Sequence, residues 1–419
     1  MKILIYGINY APELTGIGKY SGEMTEWLVK QGHEVRVITA PPYYPEWQVK
    51  EGYQSFSYKQ ETVNGVAVFR CPLYVPKKPK TVNRLIHLSS FSFSSFPCVL
   101  SQIRWQPDVV ITVEPTFFCT PAALLLAKLT RAKSVLHIQD FELDAMLGLG
   151  MGRQGALSKF ALFCERFVMQ HFSAISSISG SMLDRVAKKL SNPLELILFP
   201  NWVDIDFVTP DADSDYFRAL WSIPTTSKVV LYSGNMGKKQ GLELVLQAAD
   251  YFKKQQEVVF VFVGTGAALY DLKQKAMDLN LPSVHFFPLQ AYEDLPKLMA
   301  FADIHLVVQK KGVADAVLPS KLTTILSAGG TALITAEEHT ELHRLCINNP
   351  NIAHCVEPEN SDDFIAALDD LLKAINVANR SYNPTAREYA EQFLGKQQVL
   401  TRFVLDLENM VRKEGDIFT

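Results

Sequence analysis

The sequence predicts an α/β protein made of two Rossmann-like halves, each a parallel sheet with helices on both faces. Three observations predict it. Short β-branched or aliphatic runs alternate with helical patterns along the chain. Those runs are continuously apolar, as strands buried on both faces must be. The alternation stops and restarts once, around Pro200-Asn201-Trp202-Val203-Asp204, and a polar stretch from Pro210 to Asp215 follows. A chain of 419 residues is long enough for two such halves of about 200 residues each.

The strands expected in the first half are Ile3–Gly7, Val35–Thr39, Val66–Arg70, Val109–Val113, Ser134–Ile138, Ala174–Ser177 and Leu196–Phe199. Between the first two, Tyr20, Met24, Trp27 and Leu28 recur at helical spacing. The second half offers Val229–Ser233, Val258–Val263, Val284–Phe287, Ile304–Val308, Ala332–Thr335 and Ile352–Val356, with Leu242, Val245, Leu246 and Ala249 marking one helix face. The domains expected are residues 1–204 and 205–390, with a C-terminal helix in 391–419 packing back on the first. Ligands of such sheets sit at the carboxyl ends of the strands, so the chemistry is expected in a cleft between the halves.

Composition excludes several classes. With 48% hydrophobic and 20% charged residues the chain can fill large cores, which excludes disorder. A net charge of −3 without a basic, aromatic-laced stripe excludes a dedicated nucleic-acid binder. The six cysteines form no C-x-x-C pair and read as buried thiols in a reducing compartment. The chain enters a strand at Lys2 with no signal peptide before it, and lacks an apolar run of about 18 residues. The expected location is cytoplasmic.

Four strand-to-helix junctions carry the chemistry. The first strand ends in Gly7-Ile8-Asn9-Tyr10-Ala11-Pro12-Glu13-Leu14-Thr15-Gly16-Ile17-Gly18 before a helix. Glycines there let backbone amides approach an anion, and the helix dipole favours negative charge. The spacing is not G-x-G-x-x-G, so the dinucleotide fingerprint of a dehydrogenase fails. The second half opens on Tyr232-Ser233-Gly234-Asn235-Met236-Gly237-Lys238-Lys239-Gln240-Gly241, a glycine loop with two lysines that could neutralise a diphosphate. A third junction is Val263-Gly264-Thr265-Gly266, and the fourth is Pro319-Ser320-Lys321, opening a helix that Gly329-Gly330 closes.

Together these junctions resemble those of the retaining glycosyltransferases of family 4, which adopt the GT-B fold. Further matches are Gln31-Gly32-His33-Glu34-Val35, Pro107-Asp108-Val109-Val110 and Phe199-Pro200-Asn201-Trp202-Val203-Asp204. Pro41-Pro42-Tyr43-Tyr44-Pro45 and Pro319-Ser320-Lys321 look most like the branch that assembles exopolysaccharides of the colanic-acid type. The resemblance implies a metal-independent hexosyl transfer, with no cofactor, from a nucleotide diphosphate sugar in the second domain to a polyprenyl-diphosphate-linked saccharide on the first. It maps Gly16, Ile17 and Gly18 to the donor phosphate and reacting sugar, and Gly234 and Gly264 to the donor loops. The family's diphosphate arginine falls on Asn235 and its lysine on Gln240, so the cation must come from Lys238, Lys239 or Lys321. The ribose-binding glutamate falls on Thr324, with Ser320 at the helix start. The family's His-Asp pair falls on Gln139-Asp140, and Asp140 is the residue expected to orient the reacting sugar or the acceptor hydroxyl.

Four other patterns have structural readings beside functional ones. His137 alternates away from Gln139's neighbour position and reads as a core histidine. Asp204-Ile205-Asp206 spells the D-x-D of metal-dependent transferases but sits at the hinge. His339 and His343 have ligand spacing, yet in a polar segment that reads as a solvated helix face. Residues Lys77 to Trp105 combine Lys77, Lys78, Lys80 and Arg84 with an aromatic-rich amphipathic run. That pattern fits either a peripheral contact with anionic lipid or a buried helix pair. Two alternatives to transfer stay open: a nucleotide-sugar epimerase of the same fold, which needs histidine and carboxylate groups at the site, and a non-enzymatic two-lobed binding protein.

Overall fold

The alternation of apolar strands and helices is realised as two separate sheets in the computed structural model of the chain. It describes every residue except 14–15, 78–80, 116, 142–154, 313–318, 379 and 416–419, and only the backbone of 81, 156–158 and 413–415. One unit comprises Met1–Phe199 and Leu400–Thr419; the other is Pro200–Val399.

The first unit holds β1 (Lys2–Tyr6), β2 (Glu34–Thr39), β3 (Lys59–Val63), β4 (Val66–Arg70), β5 (Val109–Glu114), β6 (Lys133–Ile138), β7 (Ala174–Ser177) and β8 (Glu195–Leu198). Their order is β3-β4-β2-β1-β5-β6-β7-β8. Every pairing is parallel except β3 with β4. β3 is absent from the sequence reading because its KQETV run is polar. An edge strand buries little, and charge blunts its exposed backbone. The Asn64-Gly65 turn that joins it to β4, with φ of 51° and 83°, was the available signal.

Right-handed crossovers decide which helices share a face. Helix Gly16–Lys30 leads from β1 back to β2, and so lies on one face. Helices Thr81–Ser101, Thr120–Thr130 and Ala156–Met169 lead the other way, into β5, β6 and β7, and so lie side by side on the opposite face. Leu4 and Tyr6 of β1 pack beneath them with Leu88, Phe91, Ala123 and Leu126.

The second unit holds β9 (Lys228–Ser233), β10 (Val258–Val263), β11 (Val284–Phe287), β12 (Ile304–Val307), β13 (Ala332–Thr335) and β14 (His354–Val356), ordered β11-β10-β9-β12-β13-β14 and parallel throughout. Alternate residues feed two cores. Val229, Leu231 and Val261 face one, while Val230, Tyr232, Phe260 and Phe262 face the other. β14 is shorter than expected: Ile352 is buried, but precedes the strand.

The chain leaves the first unit after Phe199 and returns at Leu400, on helix Lys396–Gly415. Phe403 of that helix stacks on Phe199 with centroids 3.8 Å apart. In the second unit the strand-like Val203 donates its N–H to the Leu394 carbonyl at 2.9 Å. Arg387 gathers the carbonyls of Ile205, Val208 and Ser327 at 3.1, 3.0 and 2.6 Å. Phe403→Ala should leave a void against Phe199 and lower stability by about 3–5 kcal/mol. Urea unfolding followed by circular dichroism measures it.

Candidate active site

The carboxyl edge of the second sheet is built around β9. Tyr232 lies one residue from its end, fully buried. Its hydroxyl donates to the Asn235 carbonyl at 2.6 Å, which pins the turn that follows. The same oxygen accepts from Lys321 Nζ at 3.0 Å. The ammonium lies 4.2 Å from the Tyr232 ring centroid, within cation–π range. It stands beside Gly234: a Cβ built on that glycine would come within 3.4 Å of Nζ. Burial pushes the Lys321 amine down to about 8, because the charged form has lost water. Burial also pushes the Tyr232 phenol well up, so it stays a neutral donor.

Helix Ser320–Ser327 begins here without a side-chain cap. Its first amides, those of Ser320 and Lys321, have no acceptor within the helix. Thr324 lies one turn on, its hydroxyl bonded back to the Ser320 carbonyl at 3.0 Å. Lys321, Gly234, the Ser320 amide and Thr324 thus come together on one edge.

The adjacent glycine loops are packed against each other. Gly264 has φ of +141°, and a Cβ there would lie 2.0 Å from the Gly234 carbonyl oxygen. Gly266 meets the Met236 carbonyl in the same way, at 2.4 Å. The Met236 N–H donates to the Thr265 carbonyl at 2.8 Å. Gly264 is therefore required for loop-to-loop contact whatever the ligand.

The lysine pair of the second junction has a different environment from the one expected. Gly237 does not open an α-helix: a short turn, Lys238–Gln240, intervenes before helix Glu243–Phe252. The Gly237 amide is occupied by the Gln240 side-chain oxygen at 3.0 Å. Gln240, to which the resemblance maps the family's lysine, is thus a cap. Lys238 and Lys239 are exposed, and the Lys239 carbonyl accepts from the Lys310 amide at 3.0 Å. The cation desolvated at the glycine loop is Lys321. Asn235 is exposed, and its backbone carbonyl, not its amide side chain, is what Tyr232 holds.

In the first unit, helix Gly16–Lys30 starts at a left-handed Gly16, φ +58°. Gly16 is exposed, Ile17 half-buried and Gly18 buried. The residue the sequence reading overlooked is Glu13. Its carboxylate is buried, and burial raises its pKa. One oxygen accepts from the Tyr43 and Tyr44 amides, both at 3.1 Å, and the other from the Asn9 side chain at 3.0 Å. A Cβ on Gly18 would lie 2.5 Å from that second oxygen. Arg70, also buried, bonds the carbonyls of Ala40 (3.0 Å) and Ala11 (2.6 Å), so a cation holds the same two loops. Its own charge is met by Glu61 at 2.5 Å. The signal for Glu13 was a lone acid between Pro12 and the glycines, in a segment otherwise without charge.

Gln139 and Asp140 directly follow β6, at the carboxyl edge of the first sheet; Gln139 is half-buried and Asp140 exposed. His137 is a core residue as read: its Nδ1 lies 2.9 Å from the Ser176 hydroxyl, and burial lowers its pKa to about 3. A neutral buried imidazole cannot serve the epimerase alternative. Asp204 spends its carboxylate on the amides of Asp206 (3.2 Å) and Phe207 (3.0 Å), a turn rather than a metal ligand. His339 is not on the helix that carries His343: it has φ +67° and precedes the start at Glu341, so the pair shares no helix face. The six cysteines are free thiols.

Two family descriptions match the chain. Residues 15–202 match a glycosyl transferase 4-like domain, and residues 213–388 match glycosyl transferases group 1. The chain is 51% identical over 97% of its length, and 100% of the relative's, to WcaI of Escherichia coli (strain K12), whose name describes a colanic acid biosynthesis glycosyl transferase. The chain belongs to this glycosyltransferase family. A more distant member is WbjE of Pseudomonas aeruginosa, named as a glycosyltransferase, at 24% identity over 59% of this chain and 61% of that one. The fold of these glycosyltransferases is GT-B. Sucrose-phosphate synthase from Thermosynechococcus elongatus shares it with a TM-score of 0.71 at 13% identity, covering 98% of this chain and 99% of its own. HepE of Anabaena, solved with UDP-glucose, gives 0.64 at 14% identity, covering 98% and 100%. The glycosyltransferase assignment excludes the non-enzymatic binding protein.

Lys321→Met should weaken nucleoside diphosphate binding about tenfold or more, a charge-assisted contact being lost from a desolvated site. In the native protein the affinity should be full below about pH 8 and fall above it, as the free lysine loses its proton. In the Met variant that fall should be absent. Isothermal titration between pH 6.5 and 9.5 checks both.

Proposed function

We propose that this glycosyltransferase moves a sugar from a nucleotide diphosphate sugar to a saccharide carried on polyprenyl diphosphate, with retention, in colanic-acid-type exopolysaccharide biosynthesis. The observation that carries the donor half is Lys321, a cation desolvated beside Gly234 and the helix start at Ser320. Such a group neutralises a leaving diphosphate far better than an exposed lysine would. The relatives named above support the pathway and the donor class: one is named for colanic acid, another was solved with UDP-glucose.

On this reading the diphosphate lies along Gly234, Asn235 and the amides of Ser320 and Lys321, with Thr324 beyond it toward the ribose. Gly16, Ile17 and Gly18 are assigned to the reacting sugar, and Asp140 and Gln139 to the acceptor hydroxyl. The acceptor oxygen bonds to the anomeric carbon as the carbon–oxygen bond to the diphosphate breaks. The leaving diphosphate takes the hydroxyl proton. Amides and Lys321 supply the stabilising charge, a task that metal ions perform in other transferases.

The reading extends to the membrane, where a polyprenyl acceptor resides. No helix among the described residues is long and apolar enough to cross a membrane. Helices Thr81–Ser101, Thr120–Thr130 and Ala156–Met169, on one face of the first sheet, nevertheless expose Ile86 (50%), Phe93 (81%), Leu129 (52%), Phe160 (63%) and Phe163 (63%). They also carry Arg84, Lys128, Lys159 and Arg166. Their one carboxylate, Glu165, is buried against Lys189 at 2.8 Å, on the adjoining helix Gly180–Lys189, which adds Asp184 beside Arg185 and Lys188. Helix Thr81–Ser101 buries Leu88, Phe91 and Val99 while exposing Phe93. An apolar, basic face of this kind fits the surface of an anionic bilayer.

In EDTA, one of GDP or UDP should raise the melting temperature by about 5 °C at a hundredfold excess over Kd. No shift with either would overturn the donor assignment. The protein should sediment with vesicles containing anionic phosphatidylglycerol and stay in solution with pure phosphatidylcholine. Joint replacement of Phe160 and Phe163 by Ser should reduce that sedimentation several-fold.

A further inference from the structure

A pocket of about 450 Å³ opens in the first unit beside the glycine helix start, with Glu13 among its walls. Its volume falls within the range of small-ligand sites, about 300–1,000 Å³. Pro42, Tyr44 and Pro45 supply apolar surface, and Glu46, Gln48 and Lys50 supply polar groups. A sugar ring has that same division, with apolar C–H faces and a rim of hydroxyls. Tyr44 is 42% exposed and offers an aromatic face for stacking. With Glu13, Glu46 and Glu51 against Lys50, the pocket carries more negative than positive charge and disfavours an anionic ligand.

Tyr44 stands over the helix start: a Cβ on Gly16 would lie 3.9 Å from its ring. Its neighbour Tyr43 is anchored inward, its hydroxyl 3.0 Å from His87 Nε2. That anchor and the two amide bonds to Glu13 leave the segment little freedom. The other oxygen of Glu13 meets Asn9, and its space is the space that a side chain at Gly18 would need. One buried carboxylate therefore ties the pocket wall to the glycine turn.

We propose that this pocket is the acceptor subsite, that it takes a neutral sugar ring stacked on Tyr44, and that Glu13 is a positioning residue holding the pocket in register with Gly16–Gly18. The proposal rests on the glycosyl-transfer reading above, which assigned Asp140 and Gln139 to the acceptor hydroxyl and named no pocket for the acceptor's sugar ring. Glu13, 5% exposed, acts through the Tyr43 and Tyr44 amides. A carboxamide can replace it. The Gln oxygen still accepts both amides, and its NH₂ meets Asn9 once the Asn9 amide is turned over.

The test uses the full chain, tryptophan fluorescence and three probes below their micellar concentrations: octyl β-glucoside, octyl β-glucuronide and 1-octanol. The glucoside should bind at least tenfold more tightly than either of the others. Tyr44→Ala should weaken glucoside binding about tenfold. Glu13→Ala should do the same, and Glu13→Gln should return it to within threefold of the native value. In transfer assays with a membrane lipid extract, Glu13→Ala should raise the acceptor KM more than it lowers kcat. Nucleoside diphosphate affinity, set in the other unit, should be unchanged in all three variants. Equal binding of octanol or glucuronide overturns the proposal, as does an unaffected Tyr44→Ala. If Glu13→Ala does not fold, Glu13→Gln decides: Gln with native melting but lost glucoside binding overturns the positioning role. Failure of the wider reading looks different, since the nucleotide sugar would never be consumed while the glycoside results still stood.

Discussion

Parallel pairing is the constraint on which the rest of this structure depends. When neighbouring strands run the same way, each connection must cross a face of the sheet, and every loop leaving a strand emerges at one edge. In the first unit this brings the turns after β1, β2 and β6 to the same edge; in the second it does so for those after β9 and β10. No single turn needs a complete site, because the sheet assembles one from several.

The two units hold their glycine turns by a shared device. A glycine turn has few side chains to lock it, so a buried polar group from nearby does the locking. In the second unit Tyr232 holds the Asn235 carbonyl and Lys321 together. In the first, Glu13 and Arg70 divide the task, the carboxylate taking amides and the guanidinium taking carbonyls. Each is fully committed to hydrogen bonds, which is the condition for burying a polar group at all. The closeness this allows is visible at Gly264, where not even a methyl group would fit.

The strands and the two-sheet division were legible because burial on both faces forces unbroken apolar runs, and such runs stand out in a sequence. β3 was hidden for the opposite reason: an edge strand with a polar face looks like a loop, and only Asn64-Gly65 marked it. Among the site residues, glycines and helix starts could be found from backbone chemistry alone. Which lysine serves the loop could not, since Lys238 and Lys239 adjoin it in sequence while Lys321 reaches it across the sheet. Glu13 was passed over because its meaning lies in Tyr43 and Tyr44, some thirty residues on. Local pattern reveals what backbone geometry demands; long-range side-chain partnerships appear only once the chain is folded.

The return of the chain to the first unit at Leu400 has a consequence for biosynthesis. The second unit is one continuous segment, whereas the first is split around it. On the ribosome, the ring of Phe199 is made roughly two hundred residues before Phe403, the ring that covers it. Throughout that interval the nascent first unit keeps an apolar surface uncovered, while the second unit gains the whole of its own sequence. Completion of the earlier domain thus waits on the later one, an inversion of the N-terminal-first order usual in multidomain chains. A chaperone that shields one sheet face during those seconds would find its task set by this connectivity.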